Sequence, residues 1–322
     1  MRAVRVARLE GPDSVEVVDI AEPANRQDQV VIETHASGVT FPDVLLTRGE
    51  YQLKPETPFV PGSEVAGVVR RAPEGSAVKA GDRVAAFTGF GGFAETAVAE
   101  SYAVFPLPES VSFEAGAALP MNYFTVDFAL RRRGALRSGE TVLVHGAAGG
   151  VGTAAIQVAK AMGAKVIAVT STKDKAAVAL DAGADEAVLV DGFKDATRTL
   201  TAGEGVDVVV DPVGGDRFTD SLRSLAPEGR LLVVGFTGRD IPLVKVNRLL
   251  LNNVSVVGVG WGAFWTRNPA YLQEQWAFLL PLLESGRIDP PIGSRYPLTA
   301  AAEALKELDE RRASGKVLIQ LK

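Results

Sequence analysis

The chain has 322 residues, of which 47% are hydrophobic and 23% are charged, and its net charge at pH 7 is −5. This length suits two domains with ample apolar material for their cores, and the slight acidity argues against a specific nucleic-acid partner. There is no cysteine and there are only two histidines, His35 and His145, which excludes disulfides, thiolate nucleophiles and cysteine-rich or histidine-rich metal sites.

The N-terminus lacks the long apolar core of a signal peptide. No segment approaches the ~18 apolar residues that a membrane helix needs. The stretch 254–265 is apolar, but it is short and interrupted by glycines. We therefore expect a cytoplasmic protein with no membrane partner.

Short strand-like segments separated by glycine and proline fill the first third of the chain. Apolar and polar residues alternate in them, as is typical of half-buried strands, and no strand–helix–strand repeat is present. The sequence therefore predicts an antiparallel β domain, with strands near residues 15–20, 29–34, 67–70 and 82–86.

A strand-like segment at 141–145 runs into a glycine-rich turn, and a helical pattern follows at once. In this context glycines bring backbone N–H groups onto a pyrophosphate at a helix N-terminus. Gly149 would let the diphosphate approach the backbone, and Gly152 would let the helix pack closely on the strand. The match to G-x-G-x-x-G is imperfect, because Ala147 stands at the first glycine. A glycine-rich loop alone is often only a tight turn, but its flanks favour a dinucleotide site.

The next strand, 165–169, ends in hydroxyl side chains followed by Lys173 and Lys175. An NAD site usually has Asp or Glu there, which accepts a hydrogen bond from the ribose 2′-OH. Hydroxyl and ammonium groups would instead hold a 2′-phosphate, so the sequence favours NADPH. The alternative is that both lysines merely form the solvated first turn of the next helix.

The middle of the chain alternates between apolar strands and helical patterns, which indicates a parallel sheet covered on both faces. Two amphipathic helices and a last strand at 316–321 follow residue 266. The strands of the parallel sheet are predicted near residues 141–145, 165–170, 187–190, 206–210, 230–234 and 254–259.

The segment 253–260 is predicted to be the last strand of this sheet, and it contains no lysine, proline or charge. An unguarded apolar edge is a liability unless it is paired or covered. We expect two copies to pair these strands across a two-fold axis as a homodimer. The alternative is that the chain after Trp265 folds over the edge.

Ordered motifs along essentially the whole chain resemble those of the zinc-independent quinone oxidoreductases, the zeta-crystallin-like branch of the medium-chain dehydrogenase/reductase superfamily. The motifs are GVTFPDVL at 38–45, PGSEVAGVV at 61–69, GDRV at 81–84, FTGFGGFAE at 87–95, HGAAGGVG at 145–152, DPVGG at 211–215 and GKV at 315–317.

This resemblance implies an α/β fold in two domains. A GroES-like antiparallel β domain would comprise residues 1–122 and 266–322, and a Rossmann NADPH-binding domain with a doubly wound parallel sheet would comprise residues 123–265. It also implies an enzyme that transfers hydride or electrons from NADPH to quinones, and a homodimer.

The sequence departs from related families at several positions. Zinc-dependent relatives have cysteine in place of Thr40 and histidine in place of Ser63, so the resemblance implies that this chain binds no catalytic metal. Quinone reductases typically have asparagine at Thr40. Many also have a tyrosine after the third Rossmann strand that helps to hold the 2′-phosphate, whereas this chain has Asp191 in that region, whose charge would repel a phosphate.

The resemblance implies a set of cofactor-binding residues. Gly149, Gly150 and Val151 would contact the diphosphate, and Ser171 and Lys175 the 2′-phosphate. The remaining candidates are Val213 and Phe236 on the ribose sides, Thr125 near the nicotinamide, and Lys316, which would reach the cofactor or else be a surface lysine.

Thr40 and Tyr51 are the predicted catalytic residues, because their hydroxyls could stabilise a substrate carbonyl as negative charge develops on it. For Asp43 we favour a helix-capping role, for Glu64 a structural hydrogen-bond acceptor and for His145 a core residue.

We expect a metal-free, NADPH-dependent quinone reductase. The alternatives are an NADPH-dependent reductase of enones or enals, which would need a proton donor such as Tyr51 or water, and a low-turnover NADPH-binding protein of the crystallin or sensor kind.

Overall fold

Residues from both ends of the chain build one structural unit, and the middle of the chain builds a second. The computed structural model describes residues 1–24 and 26–322. The first unit contains Met1–Met121, Asn268–Glu284 and Pro290–Lys322, and the second contains Asn122–Arg267 and Ser285–Asp289. The sequence assigns all of residues 266–322 to the β domain, whereas residues 285–289 group with the second unit.

The first part of the chain is mainly β-structure. Its elements are β1 Arg2–Val6, β2 Val15–Asp19, β3 Gln29–Val39, α1 Phe41–Arg48, β4 Glu64–Arg71, β5 Arg83–Phe87, β6 Thr96–Glu100, β7 Val104–Pro106, α2 Phe113–Ala117 and α3 Pro120–Asp127.

Strands and helices alternate through the second unit. After a π-helical turn at Phe128–Arg133 come β8 Thr141–His145, α4 Gly150–Ala161, β9 Lys165–Thr170, α5 Lys173–Asp181, β10 Glu186–Leu189, α6 Phe193–Leu200, β11 Val206–Asp211, α7 Phe218–Arg223, β12 Leu225–Val233, α8 Asn247–Asn252, β13 Ser255–Gly258 and α9 Trp261–Trp265.

The last part of the chain adds four elements to the first unit. They are α10 Tyr271–Glu284, β14 Ile292–Pro297, α11 Ala301–Asp309 and β15 Lys316–Gln320, and short 3₁₀ turns at Pro12–Ser14, Ser101–Ala103, Gly215–Arg217 and Leu298–Ala300 complete the described helices.

The main sheet of the first unit has the strand order β14-β15-β3-β4-β5-β7, and β6 also pairs with β3. Its pairs are antiparallel except β14 with β15, which run parallel. Burial alternates along the first part of β3, so Val30 and Ile32 face the core while Gln29 and Val31 are less buried. The alternating pattern in the sequence therefore arises from one buried sheet face.

The second unit contains a six-stranded parallel sheet with the order β10-β9-β8-β11-β12-β13. The order reverses between β8 and β11, and the crevice outside the carboxyl ends of the strands at such a switch point is where open α/β sheets bind ligands. The predicted Rossmann architecture is confirmed, and the glycine-rich loop follows the strand at the switch point. Within residues 1–24 and 26–322, no helix combines the length and the hydrophobicity needed to cross a membrane.

Candidate functional site

The glycine-rich loop in the second unit joins β8 to α4. Gly146 has a φ of +58°, in the left-handed region that favours glycine, and the Gly149 amide donates to its carbonyl at 3.0 Å. Gly149 is the N-cap of α4 and provides no side-chain cap. The first-turn N–H groups of this twelve-residue helix thus lack the usual side-chain acceptor, as an anion site at a helix N-terminus requires.

Two glycines of the loop have different surroundings. A methyl group on Gly149 would meet only the Gly146 carbonyl oxygen, at 3.5 Å, whereas one on Gly152 would overlap the backbone of Gly146 and Ala147. Gly152 therefore lets α4 approach the loop closely, and Gly149 leaves a bare surface. Both features fit the geometry that a dinucleotide diphosphate needs.

Val213 and Phe236 lie on neighbouring loops at the carboxyl edge of the same sheet. Asp211 at the end of β11 accepts the Val213 amide at 2.8 Å, which fixes that loop. A methyl group on Gly146 would lie 3.1 Å from Val213 Cγ2, and one on Gly214 would lie 2.9 Å from the Phe236 ring. The structure thus brings these two predicted residues together with the glycine-rich loop.

Ser171 and Lys175 lie just after β9, at the same edge. Ser171 is exposed, and the Lys175 amide donates to the Thr172 hydroxyl, which caps α5. Partial burial lowers the pKa of the Lys175 ammonium group. Because β10 pairs with β9, Asp191 follows the strand next to the one that precedes Ser171 and Lys175. This is the neighbourhood in which its negative charge would repel a 2′-phosphate.

The helices that carry Thr125 and Val151 are joined by a hydrogen bond. Tyr123 on α3 donates from its hydroxyl to Gln157 on α4 at 2.6 Å. Thr125 is half-buried on α3, two residues from this bond, and Val151 is half-buried in the first turn of α4. Gly150, which begins α4, lies against the side-chain amide of Asn122.

In the first unit, Thr40 and Asp43 form a capping box at the start of α1. The Thr40 amide donates to Asp43 Oδ2 at 2.8 Å, and the Asp43 amide donates to Thr40 Oγ1 at 3.4 Å. Two otherwise orphaned amides are therefore satisfied by each other's side chains. The capping role predicted for Asp43 is confirmed.

Asp43 also collects bonds beyond the cap. Thr40 Oγ1 donates to Asp43 Oδ2 at 2.6 Å, and the Gly62 amide donates to Oδ1 at 3.1 Å. The carboxyl is completely buried, and this burial raises its pKa to about 6 even though the bonds from Thr40 lower it. On its other side, Thr40 Oγ1 lies 3.3 Å from the hydroxyl of Ser63.

The sequence identifies Ser63 only as a residue that cannot bind zinc, and assigns it no function. The structure places its buried hydroxyl beside that of Thr40. A signal was available, since both positions correspond to metal ligands in zinc-dependent relatives, and ligands of one ion must lie close together.

Tyr51 is half-buried and packs against the apolar cluster of Val6, Leu46 and Phe59. Burial, and secondarily the negative charge of Asp43, raise the pKa of its phenol. Tyr51 is therefore a neutral hydrogen-bond donor throughout the physiological range of pH.

Lys316 is buried, so the alternative of a surface lysine is wrong. Its ammonium forms an ion pair with Glu64 Oε1, and Glu64 Oε2 accepts the Met121 amide at 2.7 Å. Glu64 is thus a structural acceptor, as expected. The structure places Lys316 against this carboxylate, and its contact with a cofactor stays a prediction.

His145 lies in the core of the second unit, as predicted. Its Nε2 is 2.7 Å from the Ser221 hydroxyl, and its ring meets that of Phe193 edge-on at 4.9 Å. Burial lowers its pKa to about 4. It is less satisfied than expected, since Nδ1 has no hydrogen-bond partner among the described residues.

Within residues 1–24 and 26–322, no three His, Cys, Asp or Glu side chains are grouped so that they could hold a metal ion.

Family models match both parts of the chain. The model described as alcohol dehydrogenase GroES-like domain matches residues 26–109, and the model described as zinc-binding dehydrogenase matches residues 150–284. The first unit is therefore the predicted GroES-like β domain.

Individual proteins match over the full length. Bovine (Bos taurus) quinone oxidoreductase-like protein 2 is 39% identical over 325 aligned residues, which cover 100% of this chain and 93% of that protein. The structure of a probable oxidoreductase from Mycobacterium abscessus superimposes with a TM-score of 0.92 at 46% identity and covers 100% of this chain and 99% of that one. The quinone oxidoreductase of Thermus thermophilus, also solved as its complex with NADPH, gives a TM-score of 0.86 at 37% identity and covers 100% of both chains.

The two sheets, the glycine-rich loop at the switch point and these full-length matches agree with one another. The chain belongs to the zinc-independent quinone oxidoreductase branch of the medium-chain dehydrogenase/reductase superfamily.

Proposed function

We propose that the chain is an NADPH-dependent reductase of quinones that works without a metal. The observation that carries this proposal is the uncapped N-terminus of α4 beside the bare surface of Gly149 at the switch point of the parallel sheet. Related proteins support the choice of NADPH as cofactor and of quinones as substrates, because structures of quinone oxidoreductases from Thermus thermophilus and Escherichia coli were solved with NADPH.

The second unit is the proposed NADPH-binding domain. Backbone amides of Gly149, Gly150 and Val151 hold the diphosphate, and Ser171 and Lys175 bind the 2′-phosphate. We assign the ribose and nicotinamide contacts to four further residues, Thr125, Val213, Phe236 and Lys316. When bound, NADPH supplies the hydride. The protein binds and orients the cofactor and the substrate, and it polarises the substrate carbonyl.

On the substrate side, the neutral phenol of Tyr51 donates a hydrogen bond to the substrate carbonyl, and Thr40 provides a second hydroxyl. Both stabilise the negative charge that develops on oxygen as the carbonyl compound is reduced. A quinone is already electrophilic, so the site needs no strong Lewis acid. This fits a chain without cysteine and with two histidines.

The test is steady-state NADPH oxidation with 1,4-benzoquinone, 9,10-phenanthrenequinone and 1-octen-3-one. We expect turnover with the quinones. Turnover restricted to the enone would assign the protein to activated-alkene reduction instead. NADPH binding without turnover on any of the three would indicate a low-turnover cofactor-binding protein.

We also propose a cytoplasmic homodimer, since NADPH is an intracellular cofactor and β13 is the last strand of the parallel sheet. The segment between β12 and β13 carries exposed apolar side chains. Each of five side chains there exposes at least 72% of its area, namely Ile241, Leu243, Val246, Leu250 and Leu251. A patch of this kind marks an interaction surface, and a second copy would cover it together with the edge.

A further inference from the structure

The Thr40 hydroxyl has one proton, and its hydrogen bonds determine where that proton points. Asp43 Oδ2 lies 2.6 Å from Thr40 Oγ1. An ionised carboxylate can only accept hydrogen bonds, so while Asp43 is charged it holds the Thr40 proton. In that state Thr40 cannot donate to a substrate oxygen.

The other side of the same oxygen faces Ser63. The two hydroxyl oxygens are 3.3 Å apart, and both side chains are buried. Since the Thr40 proton is engaged with Asp43, the proton between the hydroxyls must come from Ser63. Donation therefore runs from Ser63 to Thr40 to Asp43, and each bond polarises the next one.

We propose that Asp43 sets the direction of the Thr40 hydroxyl and supplies the proton that reduction consumes. When the Asp43 carboxyl is protonated, it donates to Thr40 Oγ1, and the Thr40 proton turns to the substrate oxygen. This inference rests on the proposed function. Thr40 is the catalytic residue here, and Asp43 acts through it as a positioning residue.

The atoms balance for a quinone. Its reduction to the hydroquinone takes up one hydride and one proton, which NADPH and solvent provide. The hydroquinone has two new O–H bonds: one contains the hydrogen taken up as hydride, and the other contains the Thr40 proton. The Thr40 O–H bond re-forms with the proton of Asp43. Asp43 is left as a carboxylate, which regains a proton from solvent before the next turnover.

The surroundings of Asp43 make its protonated form accessible near neutral pH. Burial is the main cause that raises its pKa to about 6; the positive charge of Lys316 lowers the pKa and the negative charge of Glu64 raises it. Tyr51 is the remaining titratable neighbour, and it stays neutral. At pH 7 about one molecule in ten carries the proton, compared with about one in a thousand for an ordinary aspartate.

The experiment is single-turnover NADPH oxidation by a quinone, measured from about pH 5.5 to 9, since a general acid imposes its own pKa on such a profile. We expect the wild-type rate to fall about tenfold for each pH unit above an inflection near pH 6. Asp43→Asn and Thr40→Val should each give flat profiles, because one lacks the titrating group and the other the conducting hydroxyl. Tyr51→Phe is the control: it should be slower at every pH but keep the inflection.

A second measurement needs no cofactor. Infrared difference spectra of the free protein should show a protonated carboxyl band that titrates near pH 6 and is missing in Asp43→Asn. A band absent from the wild type, a flat wild-type rate profile, or an inflection that survives in Asp43→Asn would each overturn the relay alone. Absence of quinone reduction by the wild type would overturn the proposed function, and the relay with it.

Discussion

Arg133 donates from its Nε to the carbonyl oxygen of Gly258 at 2.9 Å, on the free side of the edge strand β13. The Val259 amide bonds the Val233 carbonyl on β12, and neighbouring residues of a strand point their backbone groups to opposite sides. Val256 and Gly258 therefore face away from β12. Arg133 thus satisfies one backbone acceptor on the edge that we propose as the dimer interface.

This bond predicts the register of the dimer. The Val254 amide is also engaged within its own chain, with the Leu249 carbonyl. An antiparallel pair of strands centred on a two-fold axis at Val256 places the Val254 amide opposite the partner's Gly258 carbonyl. Neither group needs a bond across the interface, because each already has a hydrogen-bond partner within its own chain. The same pairing joins Val256 to the partner's Val256 and the Gly258 amide to the partner's Val254 carbonyl.

Val256→Pro removes a donor that faces away from β12. We expect a folded monomer by sedimentation at micromolar concentration, whereas the wild type is a dimer. Val257→Pro is the contrast, because residue 257 faces β12 and its loss should lower stability as well. A monomeric wild type would show that the edge is covered by its own chain.

Gly149→Val should abolish NADPH binding without unfolding the protein, because the added methyl groups occupy the surface proposed for the diphosphate. Gly149→Ala tests the fold, since its single methyl group makes only an ordinary contact at 3.5 Å. Gly262→Val is a matched control in a position where nothing lies within 4 Å. An unchanged NADPH titration in folded Gly149→Val would remove the loop from the site.

Lys175→Ala should raise KM for NADPH about ten- to a hundredfold, since a charge-assisted contact contributes roughly 1.5–3 kcal/mol. KM for NADH should hardly change. Lys173→Ala, an exposed lysine in the same helical turn, is the control and should leave both values near those of the wild type. Equal KM values for the two cofactors in the wild type would refute the assignment of the 2′-phosphate site.

His145 should make the protein less stable in acid. Its folded-state pKa of about 4 lies below the ordinary 6.5, so the unfolded chain binds a proton that the folded chain excludes. Stability from this group is complete above pH 6.5 and is lost as the pH falls towards 4, by about 2 kcal/mol between pH 7.5 and 5. Urea unfolding of His145→Gln should lack this loss.

Two comparisons isolate the effect of His145. Asp43 acts in the opposite sense, because its pKa is raised and protonation favours the folded state, but it contributes equally to wild type and variant. His35→Gln, at a half-buried histidine, should retain most of the acid loss. An identical pH dependence in wild type and His145→Gln would contradict the prediction.

Metal independence has a direct test. Purified protein should contain no stoichiometric zinc, and activity should survive exhaustive chelation, because zinc needs three or four protein ligands in one place. Loss of activity on chelation, restored by added zinc, would be the contrary result.

The parallel sheet could be predicted because its strands are short apolar runs bounded by glycine and separated by helical patterns, which are local signals. The contacts between Thr40 and Ser63 and between Lys316 and Glu64 could not be predicted in this way. Thr40 and Ser63 precede different elements, α1 and β4, and nothing near Lys316 in the sequence reveals a partner 252 residues away. The local sequence pattern predicts that a lysine at the start of a strand is exposed. Only the folded structure shows that Glu64 lies beside it.

The position of β15 has a consequence for synthesis. The strand lies between β14 and β3, inside the sheet of the first unit, yet it consists of Lys316–Gln320 and follows every strand of the second unit along the chain. The ribosome therefore synthesises it after all six strands of the parallel sheet. The parallel sheet can form on the nascent chain, whereas β3 lacks one neighbouring strand and Glu64 lacks its cation until Lys316–Gln320 have emerged.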